Sequence, residues 1–166
     1  MDALDQLVPV ADHYAALPVA DAFTWEPVGR AIPEGEWYMV AFRSILRADA
    51  DGERLRRYDD WAHEEAMGAE GFVHYFKGPL APDRSCLSFC MWNSRAEARA
   101  AAGRPAHQDA VALIAETYEA YTLEFLRVRK EAGATRLAFE PYDRPAEAAL
   151  ANEPRPTQLG FSPAPS

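Results

Sequence analysis

The stretch from Ser85 to Lys130 decides the fold of this chain. It reads SCLSFCMW (85–92), NSRAEARAAAGRPAHQDAVALIAETYEAY (93–121) and TLEFLRVRK (122–130). The first piece is an unbroken run of apolar and small residues of strand length, and the last piece alternates with a period of two. The middle piece is rich in alanine, which has the highest helix propensity. The stretch therefore predicts a strand, a helix and a second strand.

The predicted helix has a clear start and one interruption. Ser94 followed by Glu97 forms a capping box. Pro105 predicts a break and a restart, because proline removes a helical hydrogen bond and clashes with the preceding turn. The apolar residues beyond it recur at helical steps: Val111, Ile114, Tyr118 and Tyr121. This face is expected to pack on a sheet.

The segments upstream complete the order of elements. Residues 36–47 predict a strand that is apolar on both faces, residues 53–67 a helix, and residues 71–77 a second strand. Residues 135–140 add a short fifth strand. The order strand, helix, strand, strand, helix, strand predicts an α+β fold, namely the ferredoxin-like βαββαβ arrangement with an antiparallel sheet.

The helix at 53–67 divides into an apolar and a charged face. We expect the apolar side chains to face inward: Leu55, Tyr58, Trp61, Ala62 and Ala66. Asp59, Glu65 and the neighbouring His63 are expected in solvent.

The chain divides into three parts. Residues 1–35 form an N-terminal extension, whose prolines prevent long helices. Its Phe23 and Trp25 predict that part of it packs on the domain or on a partner. Residues 36–142 form the ferredoxin-like α+β barrel domain. Residues 143–166 form a Pro-rich C-terminal tail.

Composition narrows the choice of partners. A net charge of -9 and a pI near 4.9 argue against a nucleic-acid or anionic-membrane surface. No apolar run approaches the length of a membrane helix, and the acidic N-terminus does not resemble a secretory signal. Cys86 and Cys90 are roughly 13 Å apart on one strand, too far to form a disulfide with each other. We therefore expect a cytoplasmic protein without nucleic-acid or membrane partners.

The apolar strands also predict self-association. A ferredoxin-like sheet carries helices on one face only, yet the predicted strands are apolar on both. A second copy packed sheet against sheet would cover the other face, and two-fold dimers are the commonest oligomers. We therefore expect a homodimer through the face opposite the helices.

The core from Trp37 to Tyr142 resembles the dimeric α+β barrel superfamily, and within it the antibiotic-biosynthesis-monooxygenase-like domains. The matching features are the βαββαβ order, a strand ending in Trp92, the N-S-x-x-E helix start and the Pro-Ala-His sequence at 105–107. The resemblance implies a pocket for a small molecule between sheet and helices in each subunit. The superfamily includes cofactor-independent monooxygenases, isomerases, cyclases and haem-degrading enzymes, so the fold does not choose the reaction.

Haem binding or degradation is a minor alternative under this resemblance. His107 matches the position of the histidine that binds haem iron in those enzymes. They also use an asparagine in the first strand and a tryptophan about ten residues before the histidine. This first strand has Arg43 and Ser44 but no asparagine, and Glu97 stands ten residues before His107.

Two histidines are candidate catalytic bases, since imidazole accepts a proton near neutral pH. His74 lies in the aromatic second strand, and is favoured if it faces the pocket. His107 lies at the helix restart. Each has an alternative interpretation, as a hydrogen-bonded core histidine and as a partly exposed helix residue respectively.

The candidate substrate-binding residues are an arginine, three aromatic residues and a cysteine: Arg43, Trp37, Tyr75, Cys90 and Trp92. A guanidinium fork could bind a carboxylate or enolate, although Glu124 or Glu140 could equally be the partner of a strand arginine. The aromatic residues could line a pocket or be plain core. The sequence has no CxxC, HExxH, GxGxxG, GxSxG or P-loop motif, so neither a metal nor a tightly bound cofactor is expected.

These observations favour a small-molecule enzyme that deprotonates a planar, apolar metabolite and then oxygenates, isomerises or cyclises it without a cofactor. The alternative is a non-catalytic ligand-binding or structural dimer of the same fold.

Overall fold

A five-stranded antiparallel sheet forms the centre of the computed structural model, which describes residues 3–142. The strand order is β2-β3-β1-β4-β5, and β1 pairs with both β3 and β4. The strands are β1 (Gly35–Leu46), β2 (Phe72–Phe76), β3 (Ser85–Trp92), β4 (Tyr118–Lys130) and β5 (Ala138–Pro141). The predicted ferredoxin-like α+β fold is confirmed, with β5 added at the edge beside β4. The predicted tail at 143–166 lies outside the described residues.

The helices have the predicted order and start signals. They are α1 (Val19–Ala22), α2 (Glu26–Ala31), α3 (Gly52–Met67), α4 (Arg95–Ala102), α5 (Pro105–Ala112) and α6 (Ile114–Thr117). The side chain of Asp51 caps α3, and that of Ser94 accepts a hydrogen bond from the Glu97 amide to cap α4. Pro105 opens α5 and so separates it from α4.

Strand β4 begins earlier than the sequence predicts. Tyr118 and Tyr121, expected on the helix, belong to β4 and pair with Leu46 and Ser44 of β1. The long β1 has backbone groups to satisfy along its whole length, and aromatic residues are favourable in strands. Pairing with β1 therefore outweighs the helical spacing of these two tyrosines.

Residues 3–32 cover the sheet face opposite α3–α6. Two short 3₁₀ helices (Ala3–Gln6 and Tyr14–Ala16) precede α1 and α2 in this N-terminal extension. One core cluster joins its buried side chains to those of the strands: Leu4, Leu7, Tyr14, Val19, Phe23, Trp25 and Val28 with Met39, Leu87, Phe89, Met91 and Val128. The extension is thus part of the core of the domain.

Polar contacts fasten this extension to the sheet. The Tyr14 hydroxyl donates to the Pro79 carbonyl oxygen at 2.5 Å and accepts from the Leu87 amide at 3.3 Å. Arg43 donates through Nη1 to the Ala15 carbonyl oxygen. The sequence argument for a dimer assumed that this face was uncovered, and that premise is wrong because the same chain covers it. The homodimer itself stays a prediction.

Candidate functional site

A cavity of about 700 Å³ lies between the helices and the other sheet face. This volume is in the range of pockets that hold drug-sized ligands. Its sheet wall is formed by alternate residues of β1 and β3: Tyr38, Val40, Phe42, Ser44, Cys86, Ser88, Cys90 and Trp92. The cavity therefore lies where the resemblance implied a pocket.

Three of the predicted substrate-binding residues line this cavity. Tyr75 and Cys90 are paired across β2 and β3, and Trp92 lies at the end of β3. Burial, with a smaller contribution from the charge of Asp59, raises the pKa of the Cys90 thiol to about 12. Cys90 is therefore a neutral thiol at physiological pH and a poor nucleophile.

His74, the favoured catalytic base, does not line the cavity. It is 9% exposed on the opposite sheet face, where its Nε2 lies 3.6 Å from Oδ1 of Asp5 in the N-terminal extension. The reason is a bulge in β2. Phe72 pairs with Trp92 and His74 with Met91, so Val73 is the extra residue. This placement is incompatible with the predicted role of His74 in the pocket.

Arg43 and Trp37 also lie on the face covered by the extension. Arg43 forms an ion pair with Glu124 through Nε, which is the alternative partner considered from the sequence. Trp37 packs against the core cluster beneath the extension. Both are odd-numbered residues of β1, whereas its even-numbered side chains line the cavity. Neither Arg43 nor Trp37 therefore lines this cavity, and a role of either in substrate binding stays a prediction.

His107, the second candidate base, lines the cavity from the first turn of α5. Its backbone amide donates to Oε2 of Glu65 at 3.2 Å, which ties this turn to α3. Burial lowers the pKa of the His107 imidazole, and the charge of Glu65 offsets part of that effect. The neutral imidazole, which can accept a proton, is therefore the dominant form at pH 7.

Sequence reasoning missed polar residues of α3. Asp59 and His63, both expected in solvent, line the cavity, whereas Trp61, expected inside, is 50% exposed. One signal could have found Asp59. It continues the inward stripe at steps of four, three and four: Leu55, Asp59, Ala62 and Ala66.

The missed Asp59 is the centre of a polar cluster at the cavity wall. Its Oδ1 accepts a hydrogen bond from the Tyr75 hydroxyl at 3.0 Å, and its Oδ2 forms an ion pair with Nζ of Lys77. Burial and, next, the charge of Asp59 raise the pKa of Tyr75 above its ordinary value. The same two causes, in that order, raise the pKa of Tyr118 to about 12. These phenols stay protonated at neutral pH.

Within residues 3–142, no cluster of three or more histidine, cysteine or acidic side chains could hold a metal ion. In the same part of the chain, no helix is long and apolar enough to cross a membrane.

Comparison with known proteins gives a family for this chain. Residues 1–141 match the family described as PB2B2.08-like. A search of curated proteins gives no match.

Solved structures with a similar fold include Rv0793 from Mycobacterium tuberculosis, with 22% identity over 52% of this chain and 91% of that chain, at a TM-score of 0.46. SnoaB from Streptomyces nogalater, a cofactor-independent oxygenase, has 13% identity over 54% of this chain and 90% of its own, at a TM-score of 0.43. A dimeric ferredoxin-like protein from Thermobifida fusca has 13% identity over 57% and 93%, at a TM-score of 0.46. The predicted ferredoxin-like fold rests on the order of elements and the strand order described above.

Proposed function

This chain belongs to the PB2B2.08-like family, and we propose that its cavity binds a planar, mostly apolar small molecule from which His107 removes a proton. The observation that carries the proposal is the position of a neutral imidazole in the wall of a largely aromatic and aliphatic cavity of about 700 Å³. The cavity is lined by side chains of one chain. The homodimer predicted from the sequence stays a prediction, and the binding test below does not depend on it.

The chemistry follows from the proton acceptor. Removing a proton from a carbon flanked by conjugated groups leaves a resonance-stabilised carbanion and an imidazolium. With O₂ as the oxidant, the balanced reaction is R₂CH₂ + O₂ → R₂C=O + H₂O, which needs no other reductant. Returning the proton to another carbon is an isomerisation. The protonated Tyr118 supplies a hydroxyl group that can donate to a developing enolate oxygen.

Binding can be tested without the natural ligand. Pyrene is planar and apolar, and its fluorescence reports transfer from water. Ala62→Trp places an indole in the cavity and should weaken pyrene binding at least about tenfold by removing the space. Ala96→Trp, at an exposed position of α4 outside the cavity lining, is the matched control. Equal affinities in the two variants would contradict binding in this cavity.

The chemical step needs a separate experiment. Anthrone has a CH₂ group between two aryl rings, and its oxidation to anthraquinone can be followed by absorbance and oxygen uptake. His107→Gln should lower the rate by roughly 10²–10⁴, the usual cost of a lost general base, while His74→Gln on the opposite face should leave it unchanged. Tight pyrene binding with no turnover of anthrone or related activated CH₂ compounds would favour the second candidate, a non-catalytic ligand-binding protein, for which the mostly apolar cavity alone is sufficient.

A further inference from the structure

Asp59, Lys77 and Tyr75 bring three different polar groups together at the cavity wall. Asp59 reaches it from α3, Tyr75 from β2, and Lys77 from the residue after β2. The Tyr75 hydroxyl donates to one carboxylate oxygen at 3.0 Å, and the Lys77 ammonium pairs with the other. Two sequence-distant elements thus converge on one carboxylate inside the cavity.

Each of the three groups has capacity for another hydrogen bond. A carboxylate accepts about four, and the contacts above use two. Because the Tyr75 hydroxyl gives its only proton to Asp59, its oxygen can act as an acceptor toward a ligand. The Lys77 ammonium has three protons, one of which points at Asp59. The cluster can therefore accept one hydrogen bond and donate another to the same small group.

The charges of the cluster restrict that group further. The Asp59 carboxylate would repel an anionic ligand group. An ether or ketone oxygen could accept a hydrogen bond from Lys77, but it has no proton to donate to the oxygens of Asp59 and Tyr75. A hydroxyl group is neutral, donates once and accepts, so it matches both sides. Tyr75 is partly buried beside the His63 ring, whose centroid lies 5.0 Å from that of the Tyr75 ring, so a hydrogen bond on this side of the cluster competes with less water.

A purely structural ion pair is a weaker explanation of this geometry. The side chain of Lys77 is 54% exposed and that of Asp59 27%, and ion pairs with this access to solvent contribute little to stability. The carboxylate nevertheless faces the cavity, at the cost of placing charge on a wall that is otherwise mostly apolar.

We propose that Asp59, Tyr75 and Lys77 form the selectivity group of this cavity, and that its ligands are planar phenols whose hydroxyl group donates to Asp59 or Tyr75 and accepts from Lys77. This inference rests on the proposed binding function and adds the class of ligand to it.

Three fluorescent probes test the inference. Pyrene, 1-methoxypyrene and 1-hydroxypyrene share one planar skeleton. Pyrene has no polar group, the methoxy oxygen can only accept a hydrogen bond, and the hydroxyl group can both donate and accept one. The protein should bind 1-hydroxypyrene about tenfold more tightly than the other two, since a net hydrogen-bond contribution corresponds to about a tenfold change in Kd. Asp59→Asn should reduce this preference to less than about threefold while leaving pyrene affinity nearly unchanged, and Tyr75→Phe should weaken it in the same direction.

The control is Asp60→Asn, which removes a neighbouring exposed carboxylate of α3 outside the cavity lining and should keep the full preference. Equal binding of all three probes by the wild-type protein would overturn the selectivity group while leaving the binding function intact. Failure to bind any of them would overturn the binding function. A loss of affinity in Asp59→Asn that is the same for pyrene and 1-hydroxypyrene would show a structural pair and would also overturn the inference.

Discussion

Phe72 and Tyr75 lie on the same face of the sheet, although residues three positions apart in a regular strand lie on opposite faces. Phe72 pairs with Trp92 and Tyr75 with Cys90, because Val73 forms a bulge between them. The rings of Phe72 and Trp92 meet edge to face at 5.4 Å on the side of α3. The bulge sends His74 to the N-terminal extension and Tyr75 into the cavity.

His74→Ala should therefore leave ligand binding unchanged and reduce stability. The affinity for pyrene should stay within about twofold of the wild type, because the two sites lie on opposite faces and share no contact. The free energy of unfolding should fall by about 1–3 kcal/mol, because the buried His74 side chain is truncated and its packing against the extension is lost. Fluorescence titration and urea denaturation measure the two quantities. A large loss of affinity with unchanged stability would contradict the assignment of His74 to the extension.

The pKa of His107 predicts how stability depends on pH. Burial lowers it below its ordinary value of 6.5, so the unfolded chain binds a proton at a pH where the folded chain does not. The stabilising contribution of neutral His107 is complete above pH 6.5 and is lost as the pH falls through the folded-state pKa. Urea denaturation from pH 7.5 to 4.5 should show a steeper fall for the wild type than for His107→Gln. Parallel curves would show that folding does not shift this pKa.

Cys90 should react slowly with thiol reagents in the folded protein. Its pKa is raised from 9.0 to about 12, so the thiolate fraction at pH 8 drops on the order of 10³-fold. In a Cys86→Ser background, the native protein should react with an aromatic disulfide reagent slower by about that factor than the same protein in denaturant. A native rate within tenfold of the denatured rate would mean that Cys90 is not desolvated.

Gly29 in α2 should not tolerate a side chain. A Cβ at this position would lie 2.4 Å from the Thr135 carbonyl oxygen, which is backbone and cannot rotate away. Gly29→Ala should therefore destabilise the protein by about 1–3 kcal/mol. Gly52→Ala is the matched control, because a Cβ there meets nothing within 4 Å and alanine favours the helix. Equal stabilities of the two variants would show that α2 is not held against residue 135.

The N-terminal extension covers the sheet face that was expected to form the dimer. Because residues 3–32 bury the apolar face that was to carry the dimer, this face should not drive association. Light scattering on the full chain at micromolar concentration distinguishes the predicted homodimer from a single chain of 18.5 kDa, and the latter mass would contradict the homodimer. A mass of twice that value would support the predicted homodimer, formed through another surface. Phe23→Asp, which should weaken the packing of the extension on the sheet, would then leave that mass unchanged.

The fold could be predicted from the sequence because its signals are local. The run of strand residues at 85–92, the Ser94 cap and the break at Pro105 each act within a few residues of their own position. The alternation in β1 likewise separates the residues that line the cavity from those beneath the extension, such as Val40 from Met39.

The site was harder to predict because side-chain direction depends on pairing. Alternation along the strand assigns His74 to a face only if β2 is regular. The bulge at Val73 depends on the pairing of β2 with β3 and not on a sequence motif. Similarly, Asp59 looks like one of many charges on α3 until Tyr75 and Lys77 are brought opposite to it. Such contacts between sequence-distant residues leave no pattern in a single sequence.

The extension also constrains the order in which the molecule can be assembled. Tyr14 has its partner at Leu87, 73 positions further along the chain, and Phe23 packs in the cluster that includes Val128. During synthesis, the extension emerges before the strands and has no surface to dock on until β1, β3 and β4 have been made and paired. Its aromatic side chains must remain exposed through that interval. The extension is thus made before the strands but reaches its native position after they have paired.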